Sequence, residues 1–133
     1  MKAPFCGLIF ALFLLLFPLV GCGNPVEDIR NSKLVGREQT TVGAAFDAAL
    51  ENAKWEFIET ANKTKIVQVS GRTKKLDPFL KRGVDVLFQF MLKEDQFEIT
   101  YAERETTDLQ GGSMMNQLDQ QRVELLLDLI YDN

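Results

Sequence analysis

The clearest pattern in the chain is an alternation of apolar and polar positions between residues 84 and 103. Val84, Val86, Phe88, Phe90 and Leu92 fall on one face, with Asp85, Leu87, Gln89 and Met91 on the other. After the polar break Lys93-Glu94-Asp95, Phe97, Ile99 and Tyr101 alternate with Gln96, Glu98 and Thr100. A period of two with one apolar face predicts two half-buried strands in an antiparallel hairpin. A second pair precedes it. Trp55 and Phe57 stand two apart within 54–59, and Val67 and Val69 two apart within 65–71, with Asn62-Lys63 between the runs. This predicts another hairpin.

Two segments carry helical spacing instead. In 41–53, Val42, Ala45, Phe46, Ala49, Leu50 and Ala53 follow the three-four spacing of one helix face, Thr41 is placed to cap it, and Asp47 and Glu51 fall elsewhere. In 113–131, Ser113 is a candidate cap, and Met114, Met115, Leu118, Val123, Leu125, Leu126, Leu127, Leu129 and Ile130 exceed one narrow stripe. The half from 123 to 130 is therefore expected to be well buried. Residues 106–112 read as a loop. The prediction is an α+β domain: a helix, a four-stranded antiparallel meander, and a C-terminal helix packed on one face of the sheet.

Before this domain the pattern changes twice. Residues 23–40 hold Gly23, Asn24, Pro25, Asn31, Ser32 and Gly36 with few apolar positions, and read mostly as a tether, with 29–35 able to dock on the domain. Met1-Lys2 followed by the apolar run 5–20 reads as a secretory signal, because 16 residues fall short of the roughly 20 needed for a spanning helix. The expected organisation is a signal in 1–21, a modified cysteine and tether in 22–40, and one domain in 41–133.

Composition narrows the chemistry. The chain has 133 residues, with 15 Lys+Arg against 19 Asp+Glu. That balance argues against a general nucleic-acid binder, which needs a concentrated basic footprint. There is no histidine, so Ser-His and Cys-His nucleophilic pairs and histidine metal ligands are excluded. The two cysteines, Cys6 and Cys22, both precede the domain, leaving it no thiolate metal site and no disulfide. No cofactor is expected.

The end of the apolar run, Leu19-Val20-Gly21-Cys22, resembles the bacterial lipobox. The resemblance implies diacylglycerol on the Cys22 thiol, cleavage before Cys22, and acylation of the new amino terminus. Two or three acyl chains hold a protein stably on a bilayer, each buried CH₂ contributing about 0.8 kcal/mol. Gly23 after the cysteine resembles lipoproteins sent to the outer membrane and facing the periplasm in Gram-negative cells. Three segments of the body, Thr41-Val42-Gly43-Ala44-Ala45-Phe46, Lys54-Trp55-Glu56-Phe57 and Val67-Gln68-Val69-Ser70-Gly71, resemble a family of small bacterial envelope domains without assigned activity. The resemblance implies a fold and a location, and carries over no catalytic residue.

The remaining candidates each have a plain alternative. Trp55, the only tryptophan, is placed to anchor a partner or line a ligand groove with Phe57 and Phe79, although a strand tryptophan beside a phenylalanine is more often core. Arg72, Lys74, Lys75, Lys81 and Arg82 concentrate five cations in one connection. They fit an anionic lipid or other envelope surface, or a solvated loop that guards strand edges. Glu98, Glu103, Glu105 and Asp108 follow no calcium-loop spacing and read as a solvated strand edge. Gly111-Gly112 lacks the lysine of a phosphate loop. The expectation is a membrane-anchored, non-enzymatic module that binds an envelope protein or supports an assembly. The alternative is a small-molecule or lipid-binding module with Trp55, Phe57, Leu87 and Met91 around a cleft between sheet and helix.

Overall fold

The computed structural model describes residues 24–77 and 81–132. Helix α1 (Pro25–Arg30) and helix α2 (Val42–Ala49) lead into strands β1 (Leu50–Glu59), β2 (Lys65–Thr73), β3 (Asp85–Leu92), β4 (Phe97–Thr107) and β5 (Ser113–Gln117). Helix α3 (Gln120–Tyr131) follows. The strands form one antiparallel sheet in the order β1-β2-β3-β4-β5, each paired with its neighbour in sequence. The class is α+β, as the periodicity predicts, but the meander has five strands and not four.

The core lies on one face of this sheet. Val67 and Val69 of β2, Val86, Phe88 and Phe90 of β3, and Ala102 of β4 are buried beneath Val42, Ala45, Phe46 and Ala49 of α2 and Leu126, Leu127, Ile130 and Tyr131 of α3. Phe46 is fully buried at the centre. Its ring meets those of Trp55, Phe88, Phe90 and Tyr131 edge-on, at centroid distances of 6.1, 5.0, 5.8 and 6.3 Å. Edge-to-face rings place the positive rim of one against the negative face of the other, adding about 0.5–1.5 kcal/mol per pair beyond burial.

Each difference from the sequence reading has a local cause. Helix α2 stops at Ala49, and Leu50 is already extended. The turn from helix to sheet is made within β1, where Asn52 adopts a φ of 56° and the ladder to β2 slips between Glu51 and Lys54. At the other end of α2 the Thr41 hydroxyl accepts from the Ala44 N–H, the expected cap. Gly43, costly in a first turn, is required by packing. A Cβ there would come within 2.8 Å of the Arg30 Cβ and 3.0 Å of the Arg30 carbonyl oxygen.

That contact also corrects the tether. Residues 25–30 are helical, Asn24 caps them through its side chain, and Ile29 is 2% exposed within the core. Arg37 reaches α3, pairing with Glu124 at 3.0 Å and Asp128 at 2.8 Å, and its guanidinium lies 5.6 Å from the Tyr131 ring centroid. The segment from 24 onward is therefore part of the folded body.

The last helix begins six residues later than expected. Ser113 starts β5, Asp119 caps α3 by accepting from the Arg122 N–H, and Leu118 donates its N–H to the Ala102 carbonyl. Strand β4 runs to Thr107, which gives 113–117 a ladder to pair with, and Gly111, at a φ of 86°, makes the return turn. Leu125, expected within the buried half of this helix, points outward and is exposed.

Candidate functional site

Trp55 lies on the core face of β1, paired with Val69. Its indole N–H donates to Asp47 Oδ1 at 3.0 Å, while Arg30 donates to Asp47 Oδ2 at 2.6 Å. The Arg30 guanidinium also lies over the indole ring, 4.9 Å from its centroid. The Arg30 hydrogen bond, with smaller help from Trp55, holds the Asp47 carboxyl below its ordinary range. Trp55 thus joins α1, α2 and β1, and its polar atom is occupied within the chain. Asp47→Ala is expected to cost about 1 kcal/mol, a charged hydrogen bond discounted for exposure. Tryptophan emission should also shift to the red as the ring loosens. Unchanged emission and stability would show that the junction does not hold the ring.

Phe57, two residues on, pairs with Val67 on the same face and remains 41% exposed at the far end of β1. Leu87 and Met91 are on the opposite face, paired with Ser70 and Ile66. Strand side chains alternate between faces. Trp55 and Phe57 therefore cannot share one cleft with Leu87 and Met91, and the cleft expected of the ligand-binding alternative is not formed by these four residues. Phe79 and Cys22 lie outside the described residues.

The basic connection is divided by the fold. Arg82 makes a two-pronged contact with Glu105, Nη1 donating to Oε1 at 3.1 Å and Nη2 to Oε2 at 2.8 Å. Arg72 bonds Asp85 at 3.2 Å and approaches Glu105 at 3.9 Å, and the Asp85 N–H donates to Glu105 Oε1 at 3.1 Å. Lys75 donates to the Asp132 carbonyl at 3.0 Å. Lys74 and Lys81 are exposed. The two arginines thus serve an internal carboxylate, and the outward charge of this segment rests on its lysines. Asp77, in the same connection, is buried and pairs with Arg104.

Glu105, expected on a solvated strand edge, is buried instead. It is 5% exposed, and the Arg82 contact, followed by the Asp85 N–H, pulls its carboxyl down to about 2. The sequence holds no local signal of this burial, because the arginines that enclose the carboxylate lie more than twenty positions earlier in the chain. The other three acidic residues stay near the surface. Glu98 pairs with Lys93, Glu103 accepts from the Tyr101 hydroxyl, and Asp108 accepts from the Gln110 and Gly112 N–H groups within its turn. Among the described residues, no group of three or more His, Cys, Asp or Glu side chains is arranged to hold a metal ion.

The outer sheet face, with no helix packed on it among the described residues, carries a polar ladder. Gln68 donates to Glu56 at 3.2 Å, and Gln89 donates to Gln68 at 2.8 Å. Farther along the face a shallow depression of about 430 Å³ passes Ser70, Gly71, Leu87, Glu103 and Met115. A groove of about 370 Å³ runs between β4 and the start of α3, lined among others by Glu98, Ile99, Tyr101, Leu118, Val123 and Glu124.

This second groove adjoins an irregularity in the sheet. The ladder between β4 and β5 covers Glu103 to Thr107 on β4, whereas the ladder between β3 and β4 continues down to Phe97. Residues 97–101 therefore have a strand on one side and, among the described residues, none on the other. Thr100 is the extra residue of a bulge, since Gln89 faces Tyr101 and Phe90 faces Ile99.

No protein family, curated protein or solved structure matches this chain.

Proposed function

We propose that this chain is a lipid-anchored protein of the bacterial cell envelope whose folded body is a non-enzymatic interaction module. The observation that carries the interaction reading is the open stretch 97–101 of β4, lying beside a groove whose mixed lining includes Ile99, Leu118 and Val123. A strand edge is a template of N–H and C=O groups that another polypeptide can complete. The two carboxyls held below their ordinary range, Asp47 and Glu105, are each saturated by arginine and by N–H donors, which suits structural roles rather than proton transfer.

The anchor reading rests on the lipobox. Only Gly23 and Asn24 separate Cys22 from α1, whose Ile29 sits in the core. At most about 3.6 Å per residue is available, so an acylated Cys22 holds the domain within roughly 10 Å of the bilayer surface. A partner would have to come to the membrane. In a Gram-negative cell, Gly23 after the cysteine supports an outer-membrane location facing the periplasm.

Metabolic labelling with a fatty-acid probe tests the anchor. The wild-type protein should label and fractionate with membranes, and Cys22→Ser should lose the label. Undiminished labelling of the variant would remove Cys22 as the attachment site.

A further inference from the structure

We propose that the groove between β4 and α3 receives an extended, lysine- or arginine-bearing segment of a partner protein. The segment would add to the sheet in the row that β5 leaves at Gln117. The inference rests on the interaction reading above and names the chemistry of its partner.

Three observations converge on this occupant. The first is backbone. Among the described residues, 97–101 pair with β3 alone, and at about 3.3 Å per residue they offer an edge of roughly 16 Å, enough for a short added strand. Beyond Gln117 the chain turns away. Leu118 makes one more bond to the Ala102 carbonyl, and Asp119 then caps α3. The vacated row is the groove itself, and only an extended polypeptide matches the alternating donors and acceptors of a strand edge.

The second observation is the floor. Ile99, Leu118 and Val123 line the groove, and each is a partly buried residue packed on the main core. Alternate side chains of an added strand would point toward this floor, so the site selects apolar residues at every second position. The bulge at Thr100 bends the edge, which discourages indiscriminate pairing and favours a segment that follows the bend.

The third observation is charge. The groove lining includes Glu98 and Glu124 and no lysine or arginine. Glu98 pairs with Lys93 and Glu124 with Arg37, but both carboxylates keep about half of their side chains open to solvent, 49% and 59%. A carboxylate with unused acceptor positions can take a second cation. Glu98, paired with Met91 on the outer face, complements a cation at the outward positions of the segment, and Glu124, on α3, complements one on the helix side.

A random-peptide phage library, panned on the purified protein, supplies the probe. Enriched peptides should alternate apolar residues with lysine or arginine. In NMR titrations with such a peptide, amide shifts should concentrate in 98–102 and 117–124. The double variant Glu98→Gln/Glu124→Gln should weaken binding by about tenfold, and Thr100→Pro, which alters the backbone in the middle of the open stretch, should weaken it further. The charge variant alters only exposed positions, so it decides the matter if the proline variant fails to fold.

Failure to enrich any peptide, enrichment of acidic or uncharged peptides, or shifts centred on another surface would overturn the proposal. So would sedimentation showing a dimer that Thr100→Pro dissociates, because the edge would then be filled by a second copy. A photo-crosslinker in intact cells separates this from loss of the broader reading. Crosslinks to an envelope protein from Lys65 but not from Thr100 would sink the groove and leave the interaction module standing. Crosslinks from neither would remove both.

Discussion

Phe46→Ala is expected to remove most of the stability of the fold. Phe46 is fully buried, and four aromatic side chains from β1, β3 and α3 converge on its ring. Truncation loses the transfer free energy of the ring and leaves a cavity that neighbours on three elements cannot close together. Such substitutions cost about 3–5 kcal/mol. The whole stability of a small domain is only about 5–15 kcal/mol. With a urea slope of about 1–3 kcal/mol/M, the unfolding midpoint should fall by about 2 M, or the protein should fail to fold at all. A midpoint shift below about 0.5 M would mean that the surrounding core repacks freely and that Phe46 is not its centre.

The second large effect depends on pH. The Glu105 carboxyl lies at about 2 in the folded protein against an ordinary value of 4.5, first through its contact with Arg82 and then through the Asp85 N–H. The unfolded chain therefore binds this proton more readily than the folded one. The resulting stability is complete above about pH 5 and is lost as pH falls through 4.5 toward 2. Its size at neutral pH is on the order of 2 kcal/mol, after allowance for solvent screening at the partly exposed Arg82. Urea unfolding of the wild type and of Glu105→Gln at pH 7 and pH 3 measures this. The gap between the two proteins should shrink by more than half at the lower pH. An equal gap at both values would show that the ionised carboxylate is not what Glu105 contributes.

These two residues differ in how far the sequence announces them. Phe46 is legible, because it lies on the apolar stripe of a segment with a recognisable cap at Thr41. Glu105 is not, because a carboxylate at the end of a strand is ordinarily solvated. Its burial depends on arginines more than twenty positions earlier in the chain. The same holds for Trp55. Its strand and its face follow from the spacing to Phe57, but its closure by Asp47 and Arg30 needs α1, which no strong periodicity marks.

Hydrophobic periodicity by itself determined the α+β class, the two central hairpins, the inward face of β3 and the position of α2. Those features follow from contacts near in sequence and from the alternation that a pleated strand imposes. The tertiary structure alone decided the rest. Met114 and Met115 suit a helix or a strand equally, and the extended edge of β4 made 113–117 a strand. Residues 25–30 are too few to form a stable helix in isolation, and a place on the core for Ile29 made them one. The open stretch 97–101 exists because β5 is shorter than β4. That difference in length is set where the chain leaves the sheet to cap α3, and no single segment records it.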